Sequence, residues 1–306
     1  MSKVLVTPRS LTRKGHPELE RLKQEGFDIV FCTPGKQPSE EELLEILPGC
    51  VGYLAGVETI SANVLEAAKE LKVISRNGTG IDNIDVNAAE KLNIKVCRTE
   101  GANARGVAEL TIGLIFSIAR NIPKHDHDMK DQHWEREKGV ELEGKTLGLV
   151  GCGKIGKQVA ALGLGLGMEV LAYRRHPDRS FSPSDQFSYV SFEELVTRSD
   201  IISLHRPASP DRKPVIDSGV IGRMKQGVCL VNTARASLID DAAALKGLED
   251  GKIAGMGVDV YEQEPPRDCA LVKHPRVVAT PHTGGYTQES VFRATRDAVD
   301  NLINNL

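Results

Sequence analysis

The feature that most constrains this chain is a rhythm, in which short apolar runs alternate with segments of helical spacing. In the first third, runs at Val4–Thr7, Asp28–Phe31, Val51–Leu54, Val73–Ser75 and Lys95–Cys97 read as strands. Between them lie Glu18–Glu25, Ser39–Ile46, Ser61–Glu70 and Val86–Leu92, with helical periods and charged faces. Such repetition predicts a parallel sheet covered on both sides, because each crossover lays a helix on a sheet face. Arg105–Ala119 predicts a longer helix, and the polar stretch Ile122–Glu143 follows. The rhythm then restarts. Strands are expected at Thr146–Val150, Glu169–Tyr173, Asp200–Leu204, Val228–Asn232, Gly255–Asp259 and Val277–Thr280, and a last helix over Thr287–Leu306. The fold class is therefore α/β, with two doubly wound parallel-sheet domains. A cut near residue 100 or 145 fits this rhythm. The final helix has no strand after it, so it can pack back onto the first unit and make that unit discontinuous.

A chain of 306 residues is long enough for two domains that each bury a core. The formal net charge of -3 gives no reason to expect nucleic acid or an anionic membrane as the main partner. The longest clean apolar run, Leu110–Ala119, is about ten residues, roughly half of what a membrane span takes. The N-terminus runs straight into "KVLVTP", without the pattern of a signal peptide. None of the six cysteines is in CxxC spacing, and most lie in apolar strand-like runs. They are expected to be buried thiols in a reducing compartment, hence a cytoplasmic location, with a disulfide or a reactive thiol as the alternative.

"LVGCGKIGKQVA" places Gly151, Gly153 and Gly156 in G-x-G-x-x-G spacing, with Lys154 and Ile155 between them. The motif follows an apolar strand and opens a helix, the context a dinucleotide cradle requires. The first glycine permits the turn, the second lets a pyrophosphate approach the backbone, and the third lets helix and strand pack closely. The N–H groups at the helix start then face the phosphates. The next strand ends in "AYRRHPD". Arg174 and Arg175 stand where an acid usually meets the ribose hydroxyls of NAD. A guanidinium pairs with a 2′-phosphate that an acid would repel, so the cofactor is expected to be NADP in preference to NAD. Two solvated arginines, in a site that takes either cofactor, are the alternative.

Three later segments carry chemistry-bearing residues: Arg235 in "LVNTARASLID", Asp259 and Glu264 in "GVDVYEQEPP", and His282 in "VVATPHTGG". Together with the glycine motif and "NGTGIDNID" at 77–85, these segments resemble the D-isomer-specific 2-hydroxyacid dehydrogenase family. "EQEPPRDCALVKHP" looks most like the 3-phosphoglycerate dehydrogenase branch. The resemblance runs along nearly the whole chain. It implies hydride transfer between NAD(P)(H) and a D-2-hydroxy acid or its 2-keto acid, with Arg235, Glu264 and His282 as the catalytic residues. The chemistry fits these residue types. Arg235 can grip the carboxylate and polarise the ketone. Imidazole titrates near neutral pH, so His282 can give or take the proton. A carboxylate at Glu264 would favour and orient the imidazolium.

The resemblance also implies that N–H groups around Asn77, Gly78, Thr79 and Gly80 bind the substrate carboxylate. It places Val107 against the nicotinamide and Asp259 near its carboxamide. His205, Arg206 and Pro207 fall near the adenosine. Thr233 and Ala234 flank the arginine on the cofactor side, and Gly284 completes the cofactor set. The substrate domain is expected to comprise residues 1–100 plus 282–306 and the dinucleotide-binding Rossmann domain residues 101–281, with a cleft between them. The long helix and the segment after it resemble the family's dimer contact, so a homodimer is expected. By resemblance 3-phosphoglycerate is favoured as substrate, with glyoxylate or hydroxypyruvate close behind. A phosphate would call for added cations, and Arg9, Arg13 and Arg76 are candidates. Two other readings compete: a non-catalytic dinucleotide-sensing corepressor, and a formate- or phosphite-type dehydrogenase. "HDHDMKDQHW" invites a metal reading, but His125 and His127 are two apart and do not share a helix face. A solvated helix without metal is expected there.

Overall fold

The computed structural model describes residues 2–209 and 211–306. By contacts the chain divides into two compact units, Met1–Asn103 with Thr287–Leu306, and Ala104–Tyr286. His282 and Gly284 group with the second unit.

The first unit contains strands β1 (Ser2–Val6), β2 (Phe27–Phe31), β3 (Cys50–Ala55), β4 (Val73–Arg76) and β5 (Lys95–Arg98). They pair in parallel in the order β2-β1-β3-β4-β5. Successive side chains on a strand point to opposite faces, and β1 shows this in its burial. Leu5 packs into one core with Leu43, Tyr53, Ile60, Val64 and Ile74. Val4 and Val6 pack into another with Leu54, Val73, Ala298, Val299 and Leu302. The last three lie on the helix Gln288–Ile303, which returns from the far end of the sequence to cover this face. Its N-cap Thr287 accepts from Ser290 N–H at 3.1 Å, satisfying an otherwise unpaired first-turn donor.

The second unit contains β6 (Thr146–Val150), β7 (Glu169–Tyr173), β8 (Phe187–Tyr189), β9 (Ile201–Leu204), β10 (Val228–Asn232), β11 (Ile253–Val258) and β12 (Val277–Ala279). All pairings are parallel, in the order β12-β11-β10-β9-β6-β7-β8. Alternation again feeds two cores, with Leu147 and Leu149 on one face and Val150 on the other.

Three details depart from the sequence reading. β8 is an additional edge strand of three residues that no apolar run marks. Arg9–Lys14 forms a short helix directly after β1. The polar stretch is helical only over Ile122–Lys130, where no residue is buried. There Lys124–Asp128 and Lys130–Asp126 pair four residues apart, at 2.8 and 2.5 Å. Among the described residues no helix is long and apolar enough to cross a membrane. All six cysteines are unpaired. Burial pushes the Cys32 and Cys229 thiols up to about 11, the opposite of an activated thiolate.

Candidate active site

The glycine turn leaves β6 at the point where strand order reverses in the second sheet, between β9 and β6. Ligands of open α/β sheets seat outside such points. Gly151 has φ 106°, and a Cβ there would lie 2.4 Å from the carbonyl oxygen of His205. A Cβ at Gly156 would lie 2.3 Å from the carbonyl oxygen of Gly151. Both positions are closed to any side chain by backbone. Gly153 is different. It caps the helix Lys154–Gly165 without a side-chain bond, and nothing lies within 4 Å of a Cβ built on it. That open space, next to first-turn N–H groups that have no partner within the helix, fits a pyrophosphate.

Arg174 and Arg175 are both exposed after β7, and Arg174 Nη1 donates back to Cys152 O in the glycine turn at 3.4 Å. The acid of this segment, Asp178, is engaged by Lys157 at 2.5 Å. His205 N–H donates to Val150 O at 2.8 Å, which seats the 205–207 segment beside the turn. Its imidazole contacts Ser203 Oγ at 2.8 Å, and burial lowers its pKa to about 3, so it stays neutral.

The edge formed by β10, β11 and β12 brings together the three residues expected to do chemistry. Arg235 follows β10. Asn232 holds it in place, donating from Nδ2 to Arg235 O at 2.8 Å and accepting from Ala234 N–H at 3.1 Å. Glu264 and His282 come from the loops after β11 and β12. Nδ1 of His282 lies 2.9 and 2.8 Å from the two oxygens of Glu264. The bond from Glu264 raises the His282 pKa against the effect of burial, and the carboxylate's charge adds to the rise. For Glu264, burial pushes upward, but the bond and charge of His282 outweigh it and the net shift is down. The charge of Arg235 reaches both groups.

Asp259 has a role that the sequence did not disclose. It is 1% exposed, and its carboxylate accepts from Thr280 Oγ1 at 2.6 Å, Thr283 N–H at 2.8 Å and Gly284 N–H at 2.8 Å. These bonds fix the loop on which His282 sits, at φ 52°. Tyr261 adds to this frame: its hydroxyl donates to Thr280 O at 2.7 Å and its N–H to Glu264 Oε1 at 3.2 Å. Gly284 lies against Asp259 and Val107. Thr233 meets Thr111 hydroxyl to hydroxyl at 3.1 Å, which pins the helix Ala104–Ala119 to the end of β10. The residues Val107, Thr233, Asp259 and Gly284 thus form one neighbourhood. Partners so far apart in sequence leave no local pattern to read.

In the first unit, residues 77–80 form the turn after β4. Asn77 N–H donates to Ala55 O at 2.9 Å, and Thr79 Oγ1 donates to Asn103 Oδ1 at 3.1 Å. Among the described residues the N–H groups of Thr79 and Gly80 have no backbone partner, and Asn77 Oδ1 is buried without a partner.

Residues 112–284 match the family model of the D-isomer specific 2-hydroxyacid dehydrogenase, NAD binding domain. The chain belongs to this dehydrogenase family. It is 40% identical over 258 residues to D-3-phosphoglycerate dehydrogenase of Homo sapiens, covering 83% of this chain and 48% of the relative. It is 40% identical over 273 residues to hydroxypyruvate reductase of Thermotoga maritima, covering 87% and 88%. The crystal structure of a glyoxylate reductase from Paecilomyes thermophila superposes with TM-score 0.88 at 29% identity, over 99% of this chain and 95% of that one. The chain spans about half the length of the curated phosphoglycerate dehydrogenases it matches. The match to the family's NAD-binding domain falls within the second unit, and the expected fold class of two parallel-sheet α/β domains holds.

Proposed function

We propose that this chain interconverts a D-2-hydroxy acid and its 2-keto acid, and that Arg235, Glu264 and His282 are its catalytic residues. The observation that carries the reading is the two-oxygen contact of Glu264 with His282 Nδ1, within the field of Arg235. Gly151, Gly153 and Gly156 would hold the dinucleotide, with Arg174, Arg175 and the 205–207 segment at its adenosine end. When bound, the nicotinamide supplies the hydride in reduction and takes it back in oxidation. The guanidinium of Arg235 grips the carboxylate and polarises the ketone, stabilising negative charge as it grows on oxygen. His282, with Nδ1 committed to Glu264, delivers a proton from Nε2 to that oxygen and recovers it in the reverse direction. Glu264 keeps the imidazole charged and oriented. The turn at 77–80 offers N–H groups for the carboxylate, the role proposed for Asn77, Gly78, Thr79 and Gly80.

The assay is direct: NADPH or NADH is mixed with protein and a panel of glyoxylate, hydroxypyruvate and pyruvate, and loss of the reduced nicotinamide band is followed. Turnover at ordinary enzyme rates, on the order of 1–1000 per second, is expected. No turnover with any 2-keto acid refutes the reading.

NADP is the proposed cofactor, supported by two exposed arginines after β7 where an acid would favour NAD. A homodimer is also proposed. Phe116, Ile122, Met129 and Trp134 are exposed large apolar side chains on the long helix and the segment after it, as an interface with a second copy would need. Light scattering should give twice the monomer mass, and a monomer at assay concentration counts against this. A cytoplasmic location is proposed from the unpaired cysteines.

A further inference from the structure

In the first sheet the strand order reverses between β1 and β3, and the crevice outside the strand ends there is the usual ligand seat of such a fold. Here a side chain of this protein occupies it. Glu58, after β3, is 2% exposed. Its Oε1 accepts from Tyr53 Oη at 2.8 Å, from Gly56 N–H at 2.8 Å and from the Thr7 hydroxyl. Thr7 follows β1, while Tyr53 and Gly56 belong to β3 and its end. Donors from both strands of the reversal therefore converge on one oxygen. The other oxygen also has a fixed place, since a Cβ at Gly56 would lie 2.6 Å from Glu58 Oε2. The carboxylate thus takes the room next to the backbone at position 56.

The same residue is tied to the turn at 77–80. Asn77 N–H donates to Ala55 O, one residue before Gly56. Asn83 Nδ2 donates to Glu58 O at 2.6 Å and to Gly56 O at 3.4 Å. Arg9 Nη2 donates to Gln37 Oε1 at 2.6 Å, and Arg76 Nη1 donates to Asn77 O. A buried negative charge is screened little by salt, and a phosphate ester brings nearly two more.

We propose that Glu58 determines the substrate class, by excluding 2-keto acids with a second anionic group and favouring a short neutral remote end such as hydrogen or hydroxymethyl. This rests on the reading of the chain as a 2-keto-acid reductase whose 77–80 turn takes the carboxylate. Overall similarity does not make the choice, since phosphoglycerate dehydrogenase and hydroxypyruvate reductase relatives are each 40% identical to this chain.

The test measures kcat/KM for hydroxypyruvate and for its 3-phosphate ester, in the full-length protein and in Glu58→Gln, which keeps the shape and an accepting oxygen but loses the charge. The unsubstituted protein should favour hydroxypyruvate by about tenfold or more, and the substitution should raise the phosphorylated-to-unphosphorylated ratio by about tenfold. A preference of the unsubstituted protein for the phosphate ester, or an unchanged ratio in the variant, overturns the proposal. Absence of turnover with every 2-keto acid overturns the underlying reading instead. Should Glu58→Gln not fold, inhibition of the unsubstituted protein decides: D-glycerate should inhibit at about tenfold lower concentration than 3-phosphoglycerate, and the reverse order refutes the role of Glu58.

Discussion

Both carboxylate oxygens of Glu264 lie within hydrogen-bond distance of one atom, His282 Nδ1, at 2.9 and 2.8 Å. The contact raises the imidazole pKa above the ordinary 6.5. Reduction needs the imidazolium, so kcat/KM for the keto acid should be level at low pH and fall as pH rises through that raised value. Oxidation needs the neutral ring and should rise over the same interval. In Glu264→Gln the largest cause of the upward shift is gone, while burial of the ring remains. Its reductive midpoint should move to lower pH, and a pH–rate profile with an unmoved midpoint would contradict the assignment.

Replacing His282 by Ala removes the proton donor and leaves the arginine in place. The expected loss in kcat is about 10²–10⁴-fold, measured with saturating keto acid after circular dichroism has shown an unchanged fold. Near-normal turnover would take His282 out of the role.

At the adenosine end, the double substitution Arg174→Ala/Arg175→Ala should raise KM for NADPH by about tenfold or more and leave KM for NADH much less affected, because charge-assisted bonds to a 2′-phosphate are lost. Equal effects on both cofactors would mean that these arginines serve the adenine or the solvent.

The glycine turn makes a finer distinction. Gly156→Ala drives a Cβ to 2.3 Å from a backbone oxygen, whereas Gly153→Ala places it in open space. The first should cost about 1–3 kcal/mol of stability, as overpacking does, along with dinucleotide binding. The second should leave Tm nearly unchanged and still weaken NADPH binding, since its methyl group enters the cradle. Thermal melts and fluorescence titration separate the two outcomes. If Gly153→Ala binds normally, the pyrophosphate does not approach there.

Much of this molecule is legible in its sequence. Eleven of the twelve strands announce themselves as short apolar runs, most plainly the central ones, because parallel strands are covered on both faces. The glycine spacing marks the cradle, and Arg235, Glu264 and His282 stand out by motif. What escapes has physical reasons. β8 is Phe187–Tyr189, set among serines and other polar residues, so no apolar run marks it, whereas the equally short β12 lies in one. The bracing by Asp259 joins residues more than twenty apart through a folded loop. No sequence motif singles out Glu58. Only its burial beneath Thr7 and Tyr53 does.

The helix Gln288–Ile303 places Ala298, Val299 and Leu302 in a core with Val4 and Val6. A ribosome must therefore translate all of residues 104–286 before it makes the piece that shields that side of the first sheet. The middle of the polypeptide can mature as an uninterrupted segment, while the opening hundred residues wait for their lid with that apolar side covered only in part, by Leu11, Leu19 and Leu22. Nascent chains halted short of residue 288 should accordingly show a protease-resistant interior and a readily digested beginning.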